Sequence, residues 1–424
     1  MKETYSTEIP VIDVFIAGIE KQRENLDYTM SELAALVEAN NMHAVEDIRQ
    51  KLDRPTAALY FGKGKAEEFK TESEAQGVKI LVVNDELSPT QIRNLEAASG
   101  MEVMDRTGLI LAIFASRAQS REAKLQVQMA QLQYQLPRLR GMQAKLDQQS
   151  GGAGLANRGA GETKIELDRR VIENRITHIK KDLAEMDKEE STRRKQRDKS
   201  GIPTVALVGY TNSGKSTTMN GLLRLIGQDE DKQVFEKNML FATLDTSVRN
   251  IQFEDKKQIL LSDTVGFVSK LPHQLVKAFR TTLAEAAQAD LLIQVIDVAD
   301  KHAEEMIQTT EETLKAIGVE NIPMIYAYNK ADLADITYPT FSDDKFTYSA
   351  RDEASLNQLV DIIKKNVFKD NEIMTVLIPF DKGQLVDLIN EKATILETTY
   401  EESGTKLKID APKIIANQVQ EYIV

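Results

Sequence analysis

The stretch Thr204–Ser216, TVALVGYTNSGKS, limits what this chain can fold into more than any other. Its apolar, β-branched start, Val205 to Val208, reads as a buried strand. Gly209 follows, then Tyr210, Thr211, Asn212 and Ser213, then Gly214-Lys215-Ser216, in the spacing of a phosphate-binding loop. Thr217 opens the helix-like continuation TTMNGLLRLIG. Glycines at those places let successive N–H groups turn inward around an anion, and the helix behind adds the partial positive charge of its N-terminus. Lys215 can reach the outer phosphates, and the Ser216 hydroxyl can ligate magnesium. An ordinary strand–turn–helix shares parts of this pattern, but rarely the glycines, the lysine and the hydroxyl together. The chain is expected to bind a nucleotide with Mg2+.

Later segments decide which nucleotide. Ile259 to Ser262 is an apolar strand ending in Asp263, followed by Thr264-Val265-Gly266. Asp263 is expected to hold magnesium through water, and the Gly266 N–H to sense a γ-phosphate, since glycine lets the backbone approach closely. Leu291–Ile296 and Met324–Tyr328 are further strands, and the second delivers Asn329-Lys330-Ala331-Asp332. Asp332 can accept hydrogen bonds from guanine N1–H and its amino group, whereas adenine has no N1 proton to give. A carboxylate buried without those donors costs several kcal/mol, so adenine is rejected. Asn329 would touch the ring edge, the Lys330 stem would cover its face, and the N–H groups of Ser349, Ala350 and Arg351 after the short strand KFTYSA would meet the guanine oxygen. Each signal alone is weak. In this order, each at the C-terminal end of a strand where open α/β sheets bind ligands, they point to a GTPase using GTP and GDP.

A first switch must lie between the loop and Asp263. Leu240-Phe241-Ala242-Thr243-Leu244-Asp245-Thr246 offers a hydroxyl to complete magnesium coordination, Thr243 in first place and Thr246 in second. Magnesium is thus assigned to Ser216, Thr243 and Asp263, with Phe241 and Ala242 beside the nucleotide. Phe267 stands where Ras-like GTPases place the glutamine that orients the attacking water. With Lys215, Gly266 and Phe267 as the catalytic positions, hydrolysis is expected to be slow until a partner supplies or positions a group. His273 and Arg280 could serve, although helix capping or a surface role is the more ordinary use of both.

The length of 424 residues suggests about three domains. There is no cysteine, hence no disulfide or thiolate metal site. The first twenty residues lack the basic-then-apolar pattern of a secretory signal, and no apolar run approaches a membrane span. A cytoplasmic protein is expected, with transient contact at a membrane surface left open. The net charge is −12, yet Ser116–Lys199 holds 19 Lys/Arg against 12 Asp/Glu, a local +7 on a body of −19. Such segregation suits a directed electrostatic contact, and suits a solvated helix pair equally well.

Residues 1–115 read as a small α/β domain, with strands at VIDVFIAGI, Lys79–Val83 and Met101–Met104. Its helices are SELAALVEAN, capped by Ser31, and SPTQIRNLEAAS, with Pro89 in the first turn. Tyr60 to Glu68, with its GKGK, is an anion-binding turn or a plain connector. Residues 116–199 read as an antiparallel helical hairpin. Its first helix, Ala118–Asp147, has Leu125, Leu132, Leu139 and Leu146 seven apart and a kink at Pro137; its second carries Ile165, Ile172, Ile176, Ile179, Leu183 and Met186. The joining stretch 148–161 holds five glycines, and with Arg158, Lys164, Arg169 and Arg170 it is a floppy linker or a tip able to follow a phosphate surface. It has no aromatic residue for base stacking. Residues 200–368 form the nucleotide domain, a doubly wound, mostly parallel sheet, and 369–424 a small α+β appendage read as β-α-β-α.

GYTNSGKS, LFATLD, DTVGFVSKLPHQLVKAFRTTLAEA, NKAD and YSA, preceded by GETKIELDRR, resemble the HflX family of ribosome-associated GTPases. YFGKGKAEE and DRTGLILAIFASRA are similar to that family's N-terminal segments. Thr246 departs from its usual proline, and Arg158-Gly159-Ala160-Gly161-Glu162 from its usual RGPGE. The resemblance implies binding to the large ribosomal subunit in the GTP state, with the hairpin against rRNA, splitting of stalled or idle ribosomes, and ribosome-stimulated hydrolysis by a protein that is a monomer when free. Three alternatives stand beside it. They are a membrane- or filament-associated GTPase with the hairpin as a stalk, an ATP-using enzyme with a second site at GKGK, and a nucleotide-gated binding module with negligible turnover.

Overall fold

The computed structural model describes residues 11–21, 25–149, 158–200, 202–227, 240–241, 246–272, 284–319 and 321–424. The N-terminal part is a four-stranded parallel sheet in the order β2-β1-β3-β4, built from β1 (Ile12–Glu20), β2 (Met42–Lys51), β3 (Ile80–Val83) and β4 (Glu102–Asp105). Helices α1 (Leu26–Ala39), α2 (Lys63–Gln76), α3 (Pro89–Ser99) and α4 (Arg106–Arg117) connect and cover it. In α3, Ser88 and Gln91 form a reciprocal capping box, with Pro89 at the first position. Helix α1 starts earlier than expected: Asn25 caps it by accepting from the Tyr28 N–H, and Ser31 lies inside the helix. Strand β2 was not legible, because its inward positions alternate with charged ones on an edge strand.

Helix α4 ends at Ala118, and after a short break Ser120 caps α5 (Arg121–Gln149), which pairs with α6 (Arg158–Ser200). The expected single start at Ala118 is therefore replaced by a break between two helices. Pro137 lies within α5. Ile176 and Ile179 are buried, with Ile172, Leu183 and Met186 half-buried beside them; the Ile165 side chain and residues 150–157 lie outside what is described. The opposite face of α5 carries Ala123, Val127 and Ala130 into the core shared with α4.

The nucleotide domain is a seven-stranded sheet, β10-β11-β9-β8-β5-β7-β6. Its strands are β5 (Thr204–Val208), β6 (Ser247–Gln252), β7 (Gln258–Asp263), β8 (Leu291–Asp297), β9 (Met324–Asn329), β10 (Thr340–Ser342) and β11 (Lys345–Thr347). All neighbours are parallel except the two edge pairs, β10 with β11 and β6 with β7. Helices α7 (Lys215–Leu225), α8 (Ala303–Ala316) and α9 (Glu353–Val367) pack on it. The C-terminal part is an antiparallel sheet β12-β14-β13, of β12 (Glu372–Ile378), β13 (Thr394–Glu401) and β14 (Gly404–Ala411), with α10 (Gly383–Lys392) and α11 (Lys413–Gln418). The β-α-β-α expectation missed β13, whose residues beyond Ile395 are exposed and carry no buried alternation.

One apolar cluster runs from Val14, Leu33 and Phe114 of the N-terminal part through Ala123 and Val127 of α5 to Val208, Tyr210, Phe241 and Phe267. The N-terminal sheet and the nucleotide domain thus share a core.

Candidate active site

The loop after β5 is shaped by two glycines with positive φ. Gly209 has φ 140°, and a Cβ there would overlap the Val295 carbonyl; Gly214 has φ 97°, and a Cβ there would overlap the Asn329 amide. Gly214 also caps α7, so the helix N-terminus opens directly onto the loop. Lys215 is buried, its Nζ donating to the carbonyls of Gly209 at 3.1 Å and Tyr210 at 2.8 Å. Burial lowers its pKa to about 8, against the opposing pull of Asp263. Asn212 is exposed at φ 61°, Thr217 is half-buried, and the buried Ser213 lends its carbonyl to the Asn329 amide at 3.0 Å.

The Ser216 hydroxyl donates to Asp263 Oδ2 at 2.6 Å. A hydroxyl and a carboxylate brought this close are oxygen donors of the kind Mg2+ takes when phosphates and water complete its shell. No cluster of three or more His, Cys, Asp or Glu that could hold a metal exists among the described residues. Ala242 and Thr243 lie outside the described residues, as do His273 and Arg280.

On the base side, Asn329 Oδ1 accepts from the Ala350 N–H at 2.9 Å, which ties the β9 end to the segment after β11. Ser349 Oγ donates to Asp332 Oδ1 at 2.7 Å, the Arg351 N–H to Ser349 Oγ at 3.3 Å, and Lys330, in the left-handed region at φ 63°, pairs with Asp297 at 2.6 Å. The structure thus brings Asn329, Lys330, Asp332, Ser349, Ala350 and Arg351 to one sheet edge, alongside the loop.

The segment after Asp263 lies directly on the loop. Thr264 is buried with its hydroxyl on the Leu207 carbonyl at 2.7 Å, and Val265 is buried. A Cβ on Gly266 would sit 2.5 Å from Thr211 Cα, so only glycine fits that approach. Phe267 pairs with the loop through its backbone: the Thr211 N–H donates to its carbonyl at 2.8 Å, and its own N–H to the Gly209 carbonyl at 3.2 Å. Its ring is buried, so this position offers the reacting atoms only backbone. Phe241 likewise turns its ring inward, edge-on to Phe114 of α4 at 4.6 Å, while its N–H donates to Thr211 Oγ1 at 2.8 Å.

Residues not singled out in the sequence complete this neighbourhood. Glu32 of α1 and Arg106 of α4, both buried, form an ion pair, and Glu32 also accepts from the hydroxyls of Tyr210 and Ser269. Burial beside Glu32 raises the Tyr210 pKa far above its ordinary value. Lys270 pairs with Asp85 at 2.6 Å, and Lys21 with the same carboxylate at 2.7 Å. Burial alone would raise Asp85, but these ammonium groups and the Tyr60 hydroxyl hold it below the usual carboxylate range. The one sequence signal was a glutamate on the apolar face of a helix. At GKGK the Gly62 N–H goes to Gln50 at 2.9 Å and Lys65 pairs with Glu68 at 2.7 Å, so both take part in starting α2. In the hairpin, Arg169 and Arg170 pair with Glu173 and Glu166, both at 2.8 Å. No helix among the described residues is long and apolar enough to cross a membrane.

Comparison with known proteins places these observations in a family. Residues 27–115 match the family described as "GTP-binding GTPase N-terminal", residues 117–197 "GTP-binding GTPase Middle Region", and residues 204–330 "50S ribosome-binding GTPase". The chain is 41% identical over 396 residues to the "GTPase HflX" of Caldanaerobacter subterraneus, covering 93% of this chain and 90% of that one. It is 37% identical to the "GTPase HflX" of Escherichia coli, covering 89% and 88%. A crystal structure of a GTP-binding protein from Sulfolobus solfataricus in complex with GDP aligns with 26% identity and a TM-score of 0.44, over 85% of this chain and 99% of that one.

Proposed function

The chain belongs to the HflX family of GTPases, and from that premise we propose that it is a ribosome-gated GTPase, which binds the large ribosomal subunit in its GTP state and parts stalled or idle ribosomes. The observation that carries this is the charge segregation: a paired helix of 29 residues and one of 43, in the segment of +7, seated on the core that also holds the loop. Cationic helices on an acidic body are drawn to a phosphate-rich surface. The Arg170–Glu166 pair is exposed and the Arg169–Glu173 pair partly so, and pairs near the surface are worth at most about 1 kcal/mol, so phosphates can displace their carboxylates. The described "50S ribosome-binding GTPase" match supports the same target.

In hydrolysis, Lys215 and the N–H groups of the loop would bind the phosphates, and Ser216 and Asp263 would hold Mg2+, with Thr243 completing its shell. When bound, the metal offsets charge developing on the phosphate oxygens. Asp332 and Asn329 would select guanine. The Phe267 side chain, sunk in the core, cannot orient water, which is why turnover of the free protein should be slow and a ribosomal group or rearrangement should complete the site.

The test is GTP turnover by the purified protein with and without large ribosomal subunits, Lys215→Ala serving as the inactive control. Many-fold stimulation, with splitting of ribosomes in sedimentation, is expected. Turnover of the free protein near one per second, at the low end of ordinary enzymes and unchanged by ribosomes, would overturn the proposal.

A further inference from the structure

We propose that α4 is a transmission element that couples the position of the segment after Asp263 to the seating of the helical hairpin, through two consecutive residues, Asp105 and Arg106. Ribosomes are not required for it; nucleotide binding alone should drive it.

Arg106 faces the nucleotide side. Its Nη2 donates to the Ser269 carbonyl at 3.1 Å and hydroxyl at 3.0 Å, while Glu32 binds the same guanidinium and the Ser269 hydroxyl. The Ser269 N–H donates to Glu32 Oε1 at 3.1 Å and to the Tyr210 hydroxyl at 2.7 Å. Nη1 is fixed by Asn84 Oδ1 at 2.8 Å. Arg106 is 1% exposed, with both Nη atoms engaged and Nε buried without a hydrogen-bond partner, so losing a further partner would leave a buried charge still less compensated and favour its moving.

Asp105 faces the hairpin and is fully buried. Oδ1 accepts from the Gly108 N–H at 2.8 Å, as the cap of α4, and from the Tyr134 hydroxyl at 2.5 Å. Oδ2 accepts from the Leu87 N–H at 3.0 Å and Arg138 Nη2 at 3.0 Å. Tyr134 and Arg138 lie one turn apart on α5, with the Arg138 guanidinium over the Tyr134 ring at 3.2 Å. Two residues that help seat α5, beside Ala123, Val127 and Ala130 in the core, therefore hang on the residue preceding the one that grips Ser269.

The change that would drive it starts at Thr211. The Phe267 carbonyl accepts from the Thr211 N–H, and the Phe241 N–H donates to the Thr211 hydroxyl. An anion gathering the loop's N–H groups competes with Phe267 for Thr211, and Ser269 is two residues further on. At the other end of α4, Phe114 packs on Phe241, so both segments flanking the loop bear on the same helix. Two arrangements of Phe267–Lys270 would thus bias two seatings of α5, the bistable element that coupling between sites needs.

Amide hydrogen exchange of the full-length protein, with GDP and with a non-hydrolysable GTP analogue, tests this. Amides of α5 around Tyr134–Arg138 should differ between the two states by about fivefold or more, the worth of one net hydrogen bond. Ser269→Ala weakens the relay at the switch end by removing the hydroxyl shared by Arg106 and Glu32, and Tyr134→Phe weakens it at the hairpin end, where Arg138 still holds Asp105; neither residue is assigned to nucleotide binding. In each variant GDP affinity should stay within about twofold of the parent while the difference in α5 narrows, and the two losses should not simply add in the double variant. Equal exchange in the two nucleotide states of the parent, or a parent-sized difference in either variant, overturns the proposal.

Discussion

Lys215 sits in the loop with its ammonium on two backbone carbonyls, and burial has lowered its pKa to about 8. Nucleotide phosphates favour the charged form, so binding above that pH must take up a proton. The sign follows from linkage: affinity is full below the free protein's pKa and falls as pH rises through it. The Kd for GDP is expected to rise about tenfold per pH unit above 8, and titration calorimetry in buffers of different ionisation enthalpy should show the proton uptake. Lys215→Ala should bind weakly and without this slope. On the base side, Asp332→Asn replaces an acceptor with a group that presents a donor to guanine N1–H. The loss expected is about 2–3 kcal/mol, close to a hundredfold in GTP affinity, measurable by nucleotide competition. These residues could be read in advance because their chemistry follows from spacing along the chain. Glu32, Arg106 and Ser269 could not, since 74 and 163 residues separate the pairs they form. Nothing in a local pattern says that a glutamate on an apolar helical face will meet an arginine there.

Among the elements, the seam of α6 was legible because a heptad pattern survives without tertiary context, whereas Leu125, Leu132 and Leu139 of α5 are only half-buried, the side chain of Leu146 lies outside what is described, and Ala123, Val127 and Ala130 take the buried places. Ile179 is 1% exposed in that seam. Ile179→Ala should cost about 2–4 kcal/mol, seen as a lowered unfolding midpoint and faster exchange in α6, with nucleotide affinity unaffected. Ile172 is half-buried and should cost less. The parallel strands of the nucleotide sheet were equally plain, since strands covered on both faces read as continuous apolar runs. Strands β2 and β13 were not, because each pairs at a sheet edge and keeps charged side chains on its open face. Pairing on one side, rather than apolar content, makes them strands.

Across the whole molecule, the shared core means that nucleotide binding and the N-terminal sheet should be energetically one unit. Tyr210 belongs at once to the phosphate loop and to the cluster holding Leu33 and Phe114. Saturating GDP, at a hundredfold its Kd, stabilises the folded state by about 2.7 kcal/mol. That gain should slow exchange in β1 and β3 as much as in β5, although the N-terminal strands hold no residue assigned to the nucleotide. Protection confined to the nucleotide domain would show two independent units.

The break between α4 and α5 is short, only Ala118 to Ser120, and beyond it runs a helix of 29 residues. At 1.5 Å per residue that helix is a lever arm of roughly 40 Å, so a tilt of about 10° at its root sweeps the far end through some 7 Å. Its first turns pack into the core through Ala123, Val127 and Ala130, and about halfway along it the Asp105 carboxylate is gripped by Tyr134 and Arg138. A displacement at Tyr134 and Arg138 would thereby be roughly doubled at the distal end.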